Sequence, residues 1–188
     1  MALNPVLRLM VHSRIMTPMK LSIYEFKARL ENDVRVRAAL KKLRARYVGM
    51  DHQVDTYFRV PAGRLKIREG RIENALVFYQ RSNAKRARQS KVELARLQRR
   101  NSIRAVLTSA LGVLAVVDKR REIYFVGNVK IHLDRVRGLG KFVEVEAIAR
   151  GGSLAKVRGQ ARAFQKLFGI SDADIVPQSY SDLILRRR

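Results

Sequence analysis

The chain has 188 residues, enough for one domain with a buried core, and 47% of them are hydrophobic. It contains no cysteine, which excludes disulfides, thiolate metal sites and a cysteine nucleophile, and no apolar run approaches the ~20 residues of a membrane helix. Forty Lys and Arg stand against sixteen Asp and Glu, a net charge of +24, with 28 Arg to 12 Lys. Such a field attracts polyanions, and arginine suits bidentate phosphate contact. Nucleic acid, nucleotides, polyphosphate and anionic membrane surfaces are therefore the candidate partner classes.

Residues 1–24 hold no acid but carry Arg8, His12, Arg14 and Lys20. Residues 1–19 read as a basic extension. It has either organellar-targeting character or an upstream start, with Met16 or Met19 as the alternative first residue. No secretory core of 7–15 apolar residues is present, so the expected location is the cytoplasm, with an organelle as the alternative.

From Lys20 the pattern alternates with period two. Ile23, Glu25, Lys27 and Arg29 share one strand face; Tyr24, Phe26, Ala28 and Leu30 share the other. Asp33 then caps a predicted helix with apolar positions at Val36, Ala39, Leu40, Leu43 and Tyr47, ended by Gly49. Strands follow over 52–60, 64–69, 75–81 and 89–97, with Pro61-Ala62-Gly63 and Gly70 as turns. A short helix opens at Ser102 and ends before Gly112. Three more strands span 114–126, 129–136 and 141–149, and a final helix runs from Ser153 to Phe168, stopped by Gly169. The order is α+β with an antiparallel sheet, either open with one wet face or closed into a barrel with a polar interior and helices packed outside.

Several strand faces carry charge together. Lys66 and Arg68, Tyr79 and Arg81, Lys119 and Arg121, Lys130 with His132 and Asp134, and Glu144 with Glu146 each share a face. If these faces converge with Glu25, Lys27 and Arg29, cations outnumber acids two to one. That is tolerable only with a polyanion among them. A triphosphate with Mg²⁺ or Mn²⁺ fits, with Lys and Arg on phosphate oxygens and carboxylates on the metal.

Ordered along the chain are Tyr24-Glu25-Phe26-Lys27-Ala28-Arg29-Leu30, residues 52–58 (HQVDTYF), Gly63-Arg64-Leu65-Lys66-Ile67-Arg68-Glu69, Phe78-Tyr79-Gln80-Arg81 and Lys119-Arg120-Arg121-Glu122. Ile131-His132-Leu133-Asp134, residues 138–146 (GLGKFVEVE) and Gln178-Ser179-Tyr180-Ser181-Asp182-Leu183 complete the series. The series resembles the CYTH superfamily, which contains class IV adenylyl cyclases and thiamine triphosphatases. Within it the sequence looks most similar to the class IV adenylyl cyclase-like group. The resemblance covers about residues 21–185, so residues 20–185 read as the domain and 186–188 as a basic tail.

The resemblance implies a closed eight-stranded antiparallel β-barrel, a tunnel with helices outside, that binds a triphosphate with divalent metal. It implies metal-binding acids at Glu25, Glu144 and Glu146, with Asp134 and His132 as further candidates. Phosphate contacts are implied at Lys27, Lys66, Arg68, Arg81, Lys119 and Arg121, with Lys27 and Arg121 as the catalytic candidates. One departure matters: where the family's first strand has Glu-x-Glu, this chain has Ile23 before Glu25. Isoleucine offers no oxygen to a hard cation, which puts catalysis in doubt more than fold.

Two function classes follow. One is a triphosphate-processing enzyme, adenylyl cyclase-like or triphosphatase, and a homodimer is left open. The other is a catalytically weakened barrel that binds RNA or another polyanion through its basic exterior, with patches at Lys41-Lys42-Arg44-Arg46, Lys85-Arg86-Arg88 and Arg96-Arg99-Arg100-Arg104.

Overall fold

The computed structural model describes residues 18–81, 86–99, 101–149 and 153–187. The basic extension before residue 18, Lys85, Arg100 and Arg188 lie outside the described residues. Eight strands form a closed barrel: β1 (Met19–Leu30), β2 (Arg46–Phe58), β3 (Arg64–Glu69), β4 (Ala75–Arg81), β5 (Arg88–Arg96), β6 (Val113–Val126), β7 (Val129–Val136) and β8 (Gly140–Ala149). Their order around the barrel is β1-β5-β4-β3-β2-β6-β7-β8, and every pair is antiparallel.

Among the described residues, four α-helices accompany the barrel: α1 (Val34–Lys42), α2 (Ile103–Leu111), α3 (Leu154–Phe168) and α4 (Tyr180–Leu185). The main apolar core lies outside the wall. Phe26, Ala28, Ile131, Leu133, Val143, Val145 and Ala147 point outward from β1, β7 and β8 onto Val36, Ala39 and Leu40 of α1 and Val157, Ala161 and Phe168 of α3. Each of these strands alternates, so burying its apolar set outside turns its charged set inward. Ser153 accepts from Ala155 N at the start of α3, and Gly169 (φ 69°) ends it in the left-handed conformation.

The first helix is shorter than its spacing predicts. It stops at Lys42, Arg44 takes a positive φ of 49°, and Tyr47 lies in β2 opposite Tyr124. Tyr47 satisfies helical spacing, but sheet pairing with β6 wins at that point.

The segment after α3 completes β1. β5 pairs with β1 only over Met19–Glu25. Beyond that, Ala28 bridges Ile175, and Val176 N donates to Lys27 O at 2.8 Å. α4 then begins with a capping box, Ser179 and Asp182 each accepting from the other's backbone N–H. It carries Tyr180 into the barrel, edge-on to Phe142 at 5.0 Å, and closes that end. Among the described residues no helix is long and apolar enough to cross a membrane.

Candidate functional site

The barrel encloses a cavity of about 560 Å³. Lys27, Lys66, Arg68, Arg81, Arg121 and Lys130 line it together with Glu25, Asp55, Glu73, Glu144 and Glu146. Arg68 and Arg81 face the same space, as the shared parity of their strands predicts. Tyr57, Tyr79, Ser179 and Tyr180 also reach it. Its rim is largely apolar, with Leu21, Ile23, Ile72, Phe125 and Ile148 beside Arg71, Asn74, Arg96 and Arg99.

Asp55 is the densest ionic point. Lys66 Nζ donates to it at 2.8 Å, Arg68 Nε at 2.9 Å and Lys119 Nζ at 2.6 Å. Burial alone would raise this carboxyl, but Arg68, Lys119 and Lys66 hold it well below the usual carboxylate range. Arg68 also donates to Glu73 at 2.8 Å, and Lys130 pairs with the same carboxylate. Glu73 sits in the β3–β4 turn, which wraps Asp51. The backbone N–H groups of Arg71, Ile72 and Glu73 donate to the Asp51 carboxylate at 2.7–3.1 Å. A Cβ on Gly70 would lie 2.5 Å from Asp51 Oδ2, so only glycine lets the turn close on it.

On the opposite side, Arg121 donates through Nε to Asp134 Oδ1 at 2.7 Å and through Nη2 to Asp134 Oδ2 and Glu144 Oε2 at 2.5 Å. The Tyr180 hydroxyl donates to Asp134 at 2.8 Å. Arg81 pairs with Glu25. Lys27 donates to Gln178 O at 2.5 Å, lies 4.3 Å from the Tyr180 ring centroid and 3.9 Å from Glu144. Desolvation pushes its ammonium down to about 7, with Glu144 opposing the shift. Desolvation also lowers Lys119 to about 7, against the pull of Asp55.

His132 is fully buried on β7, across from Glu144 on β8. Its Nδ1 lies 3.7 Å from Glu144 Oε2 and 3.9 Å from Glu146 Oε1, and among the described residues neither ring nitrogen has a partner within hydrogen-bond distance. Desolvation and the nearby Arg121 lower its pKa, which favours neutral imidazole. Imidazole nitrogen and two carboxylates, their ligand atoms all within 4.8 Å of one another, could hold a metal ion.

The CYTH domain model matches residues 23–180. The chain belongs to the CYTH domain family. Its barrel is similar to the PH1012 protein of Pyrococcus horikoshii OT3, at 23% identity and a TM-score of 0.72 over 86% of this chain and 98% of that one. It is also similar to an adenylate cyclase candidate from Vibrio parahaemolyticus, at 22% identity and 0.71 over 87% and 97%. A third likeness is to HpAC1 from Hippeastrum, an adenylyl cyclase candidate with a dominant triphosphatase activity, at 16% identity and 0.55 over 88% and 95%. No curated protein matches the sequence.

The CYTH cavity gathers the predicted Glu25, Glu144, Glu146, Lys27, Lys66, Arg68, Arg81 and Arg121. Lys119 is different: it does not line the cavity but lies fully buried beneath Asp55. Asp134 does not line the cavity either: it is buried in the barrel and held by Arg121 and Tyr180. Arg29 is not interior. It is exposed at the barrel's end, where it donates to Leu139 O at 2.5 Å. Arg88, expected on a surface patch, is buried in the barrel and donates to Pro177 O at 3.0 Å. Arg96 and Arg99 are exposed, as expected of an exterior patch, and also border the cavity.

The expected two-to-one cation excess inside does not hold either. Asp51, Asp55 and Glu73 join Glu25, Asp134, Glu144 and Glu146, so the interior acids nearly match Lys27, Lys66, Arg68, Arg81, Arg88, Lys119, Arg121 and Lys130. Asp51 and Asp55 share parity with Gln53 and Tyr57, which was the available signal. Glu73 belongs to a turn and has no strand parity to read.

Proposed function

We propose that this CYTH chain hydrolyses an organic triphosphate, bound with a divalent cation inside the barrel. The observation that carries the reading is the single cavity in which Lys27, Lys66, Arg68, Arg81 and Arg121 face Glu25, Glu144 and Glu146. Because interior acids nearly balance interior cations, a metal–triphosphate complex suits the cavity better than a bare polyanion.

Lys66 and Arg68, pre-oriented by Asp55, and Arg81, pre-oriented by Glu25, supply fixed donors to phosphate oxygens. Arg121 uses Nε and Nη2 on Asp134 and Glu144, which leaves Nη1 to offer a phosphate. Lys27, with its pKa near 7, can hold or release a proton at Nζ beside the leaving phosphate. Glu144 and Glu146 are the carboxylates that fit a cation; Glu25 fits less well because Arg81 already holds it. The cation would neutralise charge on the transferred phosphoryl group.

Hydrolysis needs only water beside these donors, whereas cyclisation also needs a ribose hydroxyl held against the α-phosphorus. Apart from Arg71, Asn74, Arg96 and Arg99 the rim is apolar, which supports hydrolysis. Purified protein is incubated with ATP, thiamine triphosphate and tripolyphosphate plus Mg²⁺ or Mn²⁺, and orthophosphate, pyrophosphate and cyclic AMP are measured. Orthophosphate from an organic triphosphate is the expected product. Cyclic AMP with pyrophosphate would make it a cyclase, and no turnover of any substrate would overturn the enzymatic reading.

A further inference from the structure

We infer that Arg120, Arg135 and Lys141 form an oxyanion site on the outside of the barrel that holds a single phosphate group. The site is separate from the cavity, and none of its three residues belongs to the basic patches read from the sequence.

Strand pairing brings the three together. Arg120 of β6 stands opposite Arg135 of β7, and Arg135 stands opposite Lys141 of β8. Arg135 shares parity with Leu133, Lys141 with Val143 and Arg120 with Tyr124, so all three leave the wall on its outer face. Side chains directly opposite on neighbouring strands lie about 5 Å apart at Cβ, and like charges placed so repel. One such pair on a surface is ordinary. Three cations in one row are a strain that an anion would relieve.

The acids around this row are already taken. Arg37 of α1 holds Asp33 at 2.7 Å and Glu122 at 2.6 Å. Asp118, two residues along β6, is held by His52 at 2.7 Å. Asp134 is held by Arg121 and Tyr180. Among the described residues Arg120, Arg135 and Lys141 make no hydrogen bond or ion pair, and Lys141 acts on Asp33 only through its charge.

The three cations border a hollow of about 100 Å³, with the buried Leu133 and Phe142 at its base. At about 30 Å³ per water that is room for roughly three waters, enough for one tetrahedral oxyanion and too little for a nucleotide. Around it Arg37, Arg120, Arg135 and Lys141 face Asp33 and Glu122, a surplus of two positive charges. A phosphate monoester carries about −1.5 to −2 at pH 7, which matches that surplus where a carboxylate would not. The two guanidinium groups offer paired N–H donors, and the ammonium adds a donor from a third direction. Arg120 and Arg135 are chain neighbours of Arg121 and Asp134, so the occupant sits one residue along each strand from a pair that builds the cavity wall.

Inorganic phosphate is the first probe and phenyl phosphate the second, each titrated into the full chain without nucleotide or metal. Backbone ¹H–¹⁵N signals of Arg120, Arg135 and Lys141 report on the outer hollow, and those of Arg68 and Arg81 on the cavity. Phosphate is expected to shift the outer signals saturably, and more than nitrate does at equal ionic strength. Arg135→Gln should weaken that binding, read at Arg120, by about 10-fold, and leave the response at Arg81 unchanged. Its denaturant midpoint should not fall, because a like-charge contact is removed. Phenyl phosphate bound within about 10-fold of the free ion would make the ligand a phosphate carried on a larger molecule, and weaker binding would make it free phosphate; either supports the site.

Outer signals that stay unmoved, that respond equally to nitrate, or that keep their phosphate response in Arg135→Gln would overturn the inference. Triphosphate hydrolysis is a separate measurement, so either result leaves the proposed function as it stands.

Discussion

Two corners of one cavity carry carboxylates in opposite conditions. At Asp55, three cations converge on a fully buried carboxylate within 2.6–2.9 Å. At Glu146, a few strands away, a carboxylate makes no hydrogen bond among the described residues and lies 3.9 Å from the buried His132. The first corner is complete without a ligand and serves to aim Lys66 and Arg68. The second is loosely paired: Lys130, opposite Glu146 in the β7–β8 register, is drawn to Glu73 instead. An ionic interior is thus not one kind of site. Its saturated points build the scaffold, and its unsaturated points are where chemistry has room.

The largest effect expected from breaking this contrast is at Asp55. Asp55→Asn leaves Lys66, Arg68 and Lys119 buried around a neutral amide, and should lower stability by about 3–5 kcal/mol in a urea titration. Glu146→Gln in the same assay should be nearly silent; equal losses at both positions would erase the distinction.

Next in size is ligand binding. Arg81→Ala removes a charged donor from the cavity and should weaken triphosphate binding by about 10–100-fold, at about 1.5–3 kcal/mol per charge-assisted bond, read by calorimetry with a non-hydrolysable analogue. Unchanged affinity would mean that phosphate does not reach the β4 side.

The pH dependence tests the saturated corner and Lys27 together. Both Lys27 and Lys119 are lowered to about 7, against about 10.5 in the unfolded chain. Between those values the unfolded chain binds more protons than the folded one, so stability of the ligand-free protein should rise from about pH 7 towards 10. Denaturant midpoints at pH 7 and 9 check the sign. Lys27→Met should flatten part of the slope, and a falling slope would contradict the burial of both ammonium groups.

The smallest effect expected sharpens the open corner. Ile23→Glu places a carboxylate one inward position from Glu25 and should raise Mg²⁺ affinity a few-fold. If calorimetry shows Mg²⁺ binding unmoved, the cation site does not extend to β1.

Much of this arrangement was legible in the residues. Strand parity alone brings Lys66, Arg68, Arg81, Arg121, Glu144 and Glu146 to one side, because apolar partners such as Val143 and Val145 must face the helices. What parity could not supply was how those groups pair. Glu73 enters from a turn that Asp51 shapes through backbone contacts, a long-range event with no local period. Arg88 is the first residue of β5, and its surroundings come from parts of the chain far off in sequence, Glu25 of β1 and the carbonyl of Pro177 among them. Tyr47 misled because 3.6-residue spacing continues by chance past the end of α1. α4 was missed although Ser179 and Asp182 spell its cap, since six residues give too little periodicity to declare a helix.

The way β1 is enclosed also sets an order of events. Lys27 is among the earliest-synthesised residues of the barrel, yet its neighbours on both sides, Glu144 of β8 and the carbonyl of Gln178, follow more than a hundred residues later. Until β8 closes the wall and Tyr180 stoppers the end, β1 is an edge strand and its ammonium is bathed in water. Contacts of such long sequence separation form slowly. A chain that lacks β8 and the Tyr180 segment therefore leaves Lys27 on an open edge, and the enclosed cavity exists only once both have docked.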